Sequence, residues 1–175
     1  MEQAALLDPV SPPVPVDSQH GDSDLFGRWI FEVPGEAVPQ GSMKALISAT
    51  TGHAMLKPSN EKALKAWRKT VADHAAARKP PWLRRPWDGP IFISLLVIRE
   101  RGDDYLADGT TLKRGARRYP DTAPDSDKLE RAIFDALTGI AFTNDGRVVT
   151  NLTTQRYAGP GGKAKVEIEI GFLRP

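Results

Sequence analysis

At 175 residues, with 40% hydrophobic and 26% charged side chains, the chain has apolar material for one core and is too short for two full domains. It has no cysteine, which excludes disulfides, thiolate zinc sites and cysteine nucleophiles; the three histidines, His20, His53 and His74, form no i, i+4 pair, so a catalytic metal falls to oxygen donors. A net charge of +2 is too mild to demand a polyanionic partner by itself.

Residues 1–24 are rich in Pro, Ser and Asp around Val10-Ser11-Pro12-Pro13-Val14-Pro15-Val16 and are expected to be a mobile tail ahead of one domain, 25–175. No basic stretch precedes the short N-terminal apolar run, so no secretory signal is read and the cytoplasm is the expected compartment. Arg28–Val33 suits a first strand ended by Pro34-Gly35. Val38–Ser42 forms a turn into a second extended stretch, Met43–Ala49, with Thr50–His53 as a hairpin tip.

Ser59 reads as an N-cap, and Ala63, Leu64, Trp67, Val71 and Ala75 recur at helical spacing, predicting a helix over 60–77. A Pro/Trp-rich connector leads to the longest apolar run, Ile91–Ile98; at eight residues it is a central strand, far short of the roughly 20 that span a bilayer, and no membrane partner is expected. Arg101–Pro124 is a long polar loop, of the length that is usually functional or disordered. A second helix is predicted over 126–138 with Gly139 as its stop and Leu129, Ile133, Ala136 and Leu137 as its buried stripe. Arg147–Arg156 and Lys165–Phe172 then alternate like two more strands. The expected fold is α/β (α+β): one mixed sheet of four to five strands with two main helices packed on one side.

The chemistry concentrates around the second helix. Asp125 and Asp127 straddle its start, where free amides and the helix dipole favour ionised carboxylates, and Asp145 follows from a later turn, so the chain is expected to fold back and add a third donor. Such a set suits Mg²⁺, with Mn²⁺ as a substitute, which would polarise a scissile phosphate and activate water. Spacing of four aligns Asp127, Arg131 and Asp135, so Arg131 can stabilise phosphate charge while Asp135 orients it or supports the metal. Lys113, Arg114, Arg117 and Arg118 crowd just ahead of the acids as candidate DNA-backbone contacts, with Lys44, Lys57, Lys128 and Arg147 as weaker ones. The same residues fit a plainer reading: acids at a helix N-terminus serve as caps, an Arg/Asp pair suits a solvated face, and charge runs keep loops soluble.

What separates the two readings is a longer pattern. Pro124-Asp125-x-Asp127-Lys128-Leu129-x-Arg131-Ala132-Ile133-x-Asp135-Ala136-Leu137-Thr138-Gly139-Ile140-Ala141-Phe142-x-Asn144-Asp145-x-Arg147-Val148-Val149 resembles the signature of the RusA family of Holliday junction resolvases, and Val33-Pro34-Gly35-x-x-Val38-Pro39-Gln40-Gly41-Ser42 is similar to the opening of many phage and prophage members. The resemblance implies a homodimeric, Mg²⁺-dependent endonuclease, without a nucleotide cofactor, that cuts paired strands of four-way DNA in recombination and repair. It sets the metal-binding acids on Asp125, Asp127 and Asp145 and the essential basic helix position, commonly lysine, on Arg131. That departure keeps the charge but exchanges an ammonium for a planar fork. Asn144 stands where many members carry an acid, leaving an amide that can support the metal or ligate through its oxygen with one negative charge fewer, and Lys128 stands where the founding members have Asn. Two other functions fit the same residues: a flap or fork nuclease, and a junction-binding protein with impaired catalysis.

Overall fold

The apolar run in the middle of the chain forms an interior strand because both of its faces are covered: Ile91, Phe92, Ile93 and Leu95 through Ile98 are all buried. The computed structural model describes residues 24–47 and 54–175. The strands are β1 (Leu25–Pro34), β2 (Met43–Ile47), β3 (Ala54–Pro58), β4 (Ile91–Arg99), β5 (Val148–Tyr157) and β6 (Lys165–Leu173); the helices are α1 (Glu61–Arg78) and α2 (Ser126–Leu137). Residues 1–23 of the predicted tail, the last two residues of the predicted stretch Met43–Ala49 and the hairpin tip at 50–53, and with them His20 and His53, lie outside the described residues.

The main sheet runs β1-β6-β4-β5, with β1/β6 and β6/β4 antiparallel and β4/β5 parallel, so the mixed sheet expected from the sequence is present with four strands. β2 and β3 form a separate hairpin that pairs Lys44 with Lys57 in register; the side chains of both lysines lie outside the described part. The sequence did not predict β3, whose five residues end in proline and are too few to show alternation.

Both helices pack on the same face of the sheet. Leu64, Trp67, Val71 and Ala75 of α1 and Leu129, Ile133, Ala136 and Leu137 of α2 join one core with Phe31, Ile93, Leu95 and Ile168 from the strands. Each such leucine or isoleucine contributes about 1.5–3 kcal/mol by burial. Ala63, expected on the buried stripe of α1, is exposed, so the stripe begins at Leu64. Gly139 follows α2 at φ 83°, a left-handed conformation that ends the helix where the sequence predicted it. No helix among the described residues is long and apolar enough to cross a membrane.

Candidate functional site

The first turn of α2 is fixed from two sides. From the sheet, Gln155 Nε2 donates to Ser126 Oγ at 3.0 Å and to the Pro124 carbonyl at 3.4 Å, while one turn further Asn151 Nδ2 donates to Glu130 Oε2 at 2.9 Å. These two ties run α2 antiparallel to β5, with the helix start beside the C-terminal end of the strand. From the other side, the Gln40 amide donates to the Lys128 carbonyl at 2.9 Å.

That second tie explains the Val38–Ser42 segment. Asn60, not the predicted Ser59, occupies the N-cap position of α1, and its side chain makes no cap bond. Its Oδ1 instead accepts from the Gly41 amide at 3.0 Å, and its Nδ2 donates to the Pro39 carbonyl at 2.8 Å. A Cβ at position 41 would lie 2.3 Å from Asn60 Oδ1, so only glycine lets the strap close on the helix. The strap therefore couples the start of α1 to the start of α2.

Asp125 takes the N-cap position of α2 with extended backbone (φ −66°, ψ 143°), yet its carboxylate makes no cap hydrogen bond. Its side chain is exposed and uncommitted to the helix, which removes the capping explanation for that residue. Asp127 is exposed in the first turn, with Lys128 Nζ 2.6 Å from Oδ2, and this ammonium draws its carboxyl below the ordinary value of 3.8. Two carboxylates thus stand at the positive end of a helix dipole, one at the N-cap and one in the first turn.

Asp145 does not join them. After α2 the chain returns to the segment ahead of β4: the Trp87 amide donates to the Ala141 carbonyl and the Thr143 amide to the Trp87 carbonyl, while Asp88 accepts from Thr143 Oγ1 at 2.8 Å and from Arg147 at 2.7 Å. Asp145 opens a single 3₁₀ turn, Asp145–Arg147, that leads into the N-terminal end of β5. From Val148 to Gln155, seven strand steps at about 3.3 Å cover about 23 Å, so Asp145 and the Asp125/Asp127 pair occupy opposite ends of β5. Among the described residues no three acidic or histidine side chains gather closely enough to hold a metal ion. The fold-back expected from the sequence therefore does not occur within one chain, because the parallel β4/β5 pairing sends the chain to the start of β5 before it can turn upward.

Arg131 lies one turn beyond Asp127, exposed, with no hydrogen bond or ion pair among the described residues. Asp135 does not orient it: its carboxylate pairs with Arg68 of α1, whose guanidinium also donates to Gln40 Oε1 at 3.1 Å. Arg68 thus links both helices and the strap; no local pattern in the sequence signals this contact between helices. Asn144 is exposed beside Asp145 and donates only to Thr143 Oγ1 at 3.4 Å.

The polar loop 101–124 is ordered around one side chain. Arg101, whose side chain is 8% exposed, donates to the Arg117 carbonyl at 2.8 Å and the Arg118 carbonyl at 3.3 Å, pairs with Asp104 at 3.3 Å, and stacks on the Tyr157 ring at 4.3 Å. Asp108 accepts from the Thr110 and Thr111 amides, both at 2.8 Å, and contacts with Thr111 before Thr110 lower its carboxyl to about 2. Lys113 and Arg114 are exposed on this frame, and Arg117 is paired with Asp121. Arg99 Nη1 donates to the Thr122 carbonyl at 3.3 Å, which returns the loop to the end of the sheet where α2 begins.

A search of curated proteins found no match. The family model described as endodeoxyribonuclease RusA matches residues 34–170 and so spans the strap, both helices and most of the sheet. Over that length the chain belongs to the RusA family of endodeoxyribonucleases, enzymes that cut branched DNA and resolve Holliday junctions.

Proposed function

We propose that the chain resolves four-way DNA as a two-fold homodimer, with Asp125 and Asp127 of one subunit and Asp145 of the partner subunit closing each metal site. The observation that carries this reading is the separation of the acids along β5, about 23 Å by strand geometry, which one chain does not bridge. β5 is the last strand of the sheet, and no described strand pairs with its outer edge. If two copies of β5 run antiparallel about an axis near Thr150, midway between 145 and 155, each Asp145 falls opposite the partner's Gln155, beside Ser126. Val149 and Leu152, 58% and 39% exposed on this strand, would be covered by the same contact.

The donor set fits a hard divalent cation: Asp125 and Asp127 are exposed carboxylates, Asp125 has no cap bond to break, and oxygen-only ligation favours Mg²⁺, with Mn²⁺ able to substitute. Such a cation, when bound, polarises the scissile phosphate and lowers the pKa of water. The protein's own part is to hold the two acids at the tied-down helix start, to offer the unpaired Arg131 guanidinium one turn away to phosphate charge, and to keep Asn144 next to Asp145 as a neutral hydrogen-bonding group. Lys113, Arg114 and Arg117 supply sequence-blind backbone contacts, and Lys128 competes with the cation for Asp127. Lys44 and Lys57, adjacent across the hairpin, are further backbone contacts in this reading. Cleavage of a mobile four-way junction across a Mg²⁺ titration tests the assignment: the parent should cut with saturating metal dependence, and Asp127→Asn should bind the junction without cutting it.

A further inference from the structure

On the reverse face of the sheet from α2, at the same C-terminal end of β4 and β5, lies a cavity of about 750 Å³ that the catalytic reading does not use. Neighbouring residues of a strand point to opposite faces, so Gln155 meets α2 while Arg156 and its register partner Ile98 face the cavity. Its floor is apolar and aromatic, from Ile98, Leu112, Tyr105 and Tyr157. Its rim is cationic. Lys163 is paired with Glu100 and Lys165 with Glu32 and Glu167, and Arg101 is spent on Asp104 and the loop carbonyls. Arg118 and Arg156 are different: among the described residues neither has an acidic partner, and Arg118 only overlies the Tyr119 ring at 5.6 Å. Two guanidinium groups left without carboxylates, above a lining of tyrosine rings and aliphatic carbons, match a nucleotide unit: a phosphate for the forks and a flat ring or sugar for the floor.

We infer that this cavity is a second DNA site, which grips the phosphate backbone of a junction strand on the face opposite the cutting acids. The inference rests on the reading that the chain binds branched DNA. It also reassigns Arg118, which the loop turns toward the reverse face instead of toward Asp125 and Asp127. The site lies one sheet thickness from the start of α2, so a strand leaving the cut can reach it round the end of β5.

The test compares binding in an Asp127→Asn background, so that the DNA stays intact, with Arg118→Gln/Arg156→Gln and Arg118→Lys/Arg156→Lys added to it. Gel-shift titrations over a salt series use a four-way junction and a linear duplex of equal length. The glutamine pair should weaken junction binding about tenfold or more and flatten the salt slope by about two, with a smaller loss on linear duplex, while the lysine pair keeps the slope. Equal affinity and slope for the parent and the glutamine pair would overturn the cavity site and leave the nuclease reading intact. Failure of the parent itself to bind the junction would overturn both. Deoxyadenosine monophosphate is titrated in parallel: binding to the parent that the glutamine pair loses, with junction affinity unaffected, would assign the cavity to a free nucleotide and overturn the strand site.

Discussion

At the C-terminal end of β5, Gln155 ties down the start of α2, the Asp125 carboxylate makes no cap bond and Asp127 is exposed, and the loop centred on Arg101 returns to the same end of the sheet. At the N-terminal end, Asp88 gathers Thr143 and Arg147, and Asp145 is the only one of the three acids present. One end holds two of the three acids; the other holds the third, with Arg147 and Arg85 near Asp88. In the proposed dimer each end of β5 is half of a site, and a two-fold axis across the strand would supply each end with what it lacks.

The largest expected effects come from the acids themselves. Asp127→Asn and Asp145→Asn should each slow junction cutting by more than about 100-fold, beyond the range for groups that only support a metal ligand. A small effect at Asp145 alone would detach the N-terminal end of β5 from the chemistry. Next is the geometry of the axis. The chain has no cysteine, so Thr150→Cys introduces a single thiol whose oxidation should yield a covalent dimer if two copies of β5 meet there within disulfide reach; a chain that stays monomeric on a denaturing gel under oxidation would move the axis elsewhere.

Smaller effects probe how the C-terminal end is held. Asn60→Ala removes two hydrogen bonds to the strap and should cost about 1–2 kcal/mol, read as a fall in Tm of several degrees, and should lower cutting through the Gln40–Lys128 tie. An unchanged Tm would show that the strap does not depend on the clamp. The weakest effect is on the loop. Asp108 is held down to about 2 by its bonds to Thr111 and Thr110, from 3.8, so its contribution to loop order is complete above pH 4 and is lost as pH falls through 2. Amide exchange at Thr110 and Thr111 should therefore stay protected at pH 4 and rise near pH 2, whereas a rise already at pH 4 would contradict the turn.

The elements near the site were legible because their signals are local. The apolar run of β4, the helical spacing of Leu64, Trp67, Val71 and Ala75, and the stop at Gly139 each reflect a period or a backbone conformation that the residues themselves impose. The positions of Asp125 and Asp127 at the start of α2 followed from the same cues. What stayed hidden depends on packing between distant segments. Nothing in the sequence says that Asp135 will meet Arg68 instead of Arg131, that Asn60 will turn from capping to clamp Gly41, or that Arg101 will organise the whole loop. The course of the chain after α2 was also hidden: the parallel pairing of β5 with β4 carries Asp145 away from the other acids, and sequence spacing is blind to that choice. For the family the long pattern around α2 was sufficient, and the match over residues 34–170 bears it out.

Mixed dimers give the most direct test of a site divided between subunits. Asp127→Asn and Asp145→Asn proteins, each inactive alone, are unfolded together, refolded and assayed for nicking of a four-way junction. If each site draws its acids from two chains, a mixed dimer keeps one complete site, and nicking should return to about a quarter of the parental level on random pairing. If mixing restores nothing while the refolded parent regains full activity, all three acids act within one chain, and the two ends of β5 must come together in a way that contradicts this account.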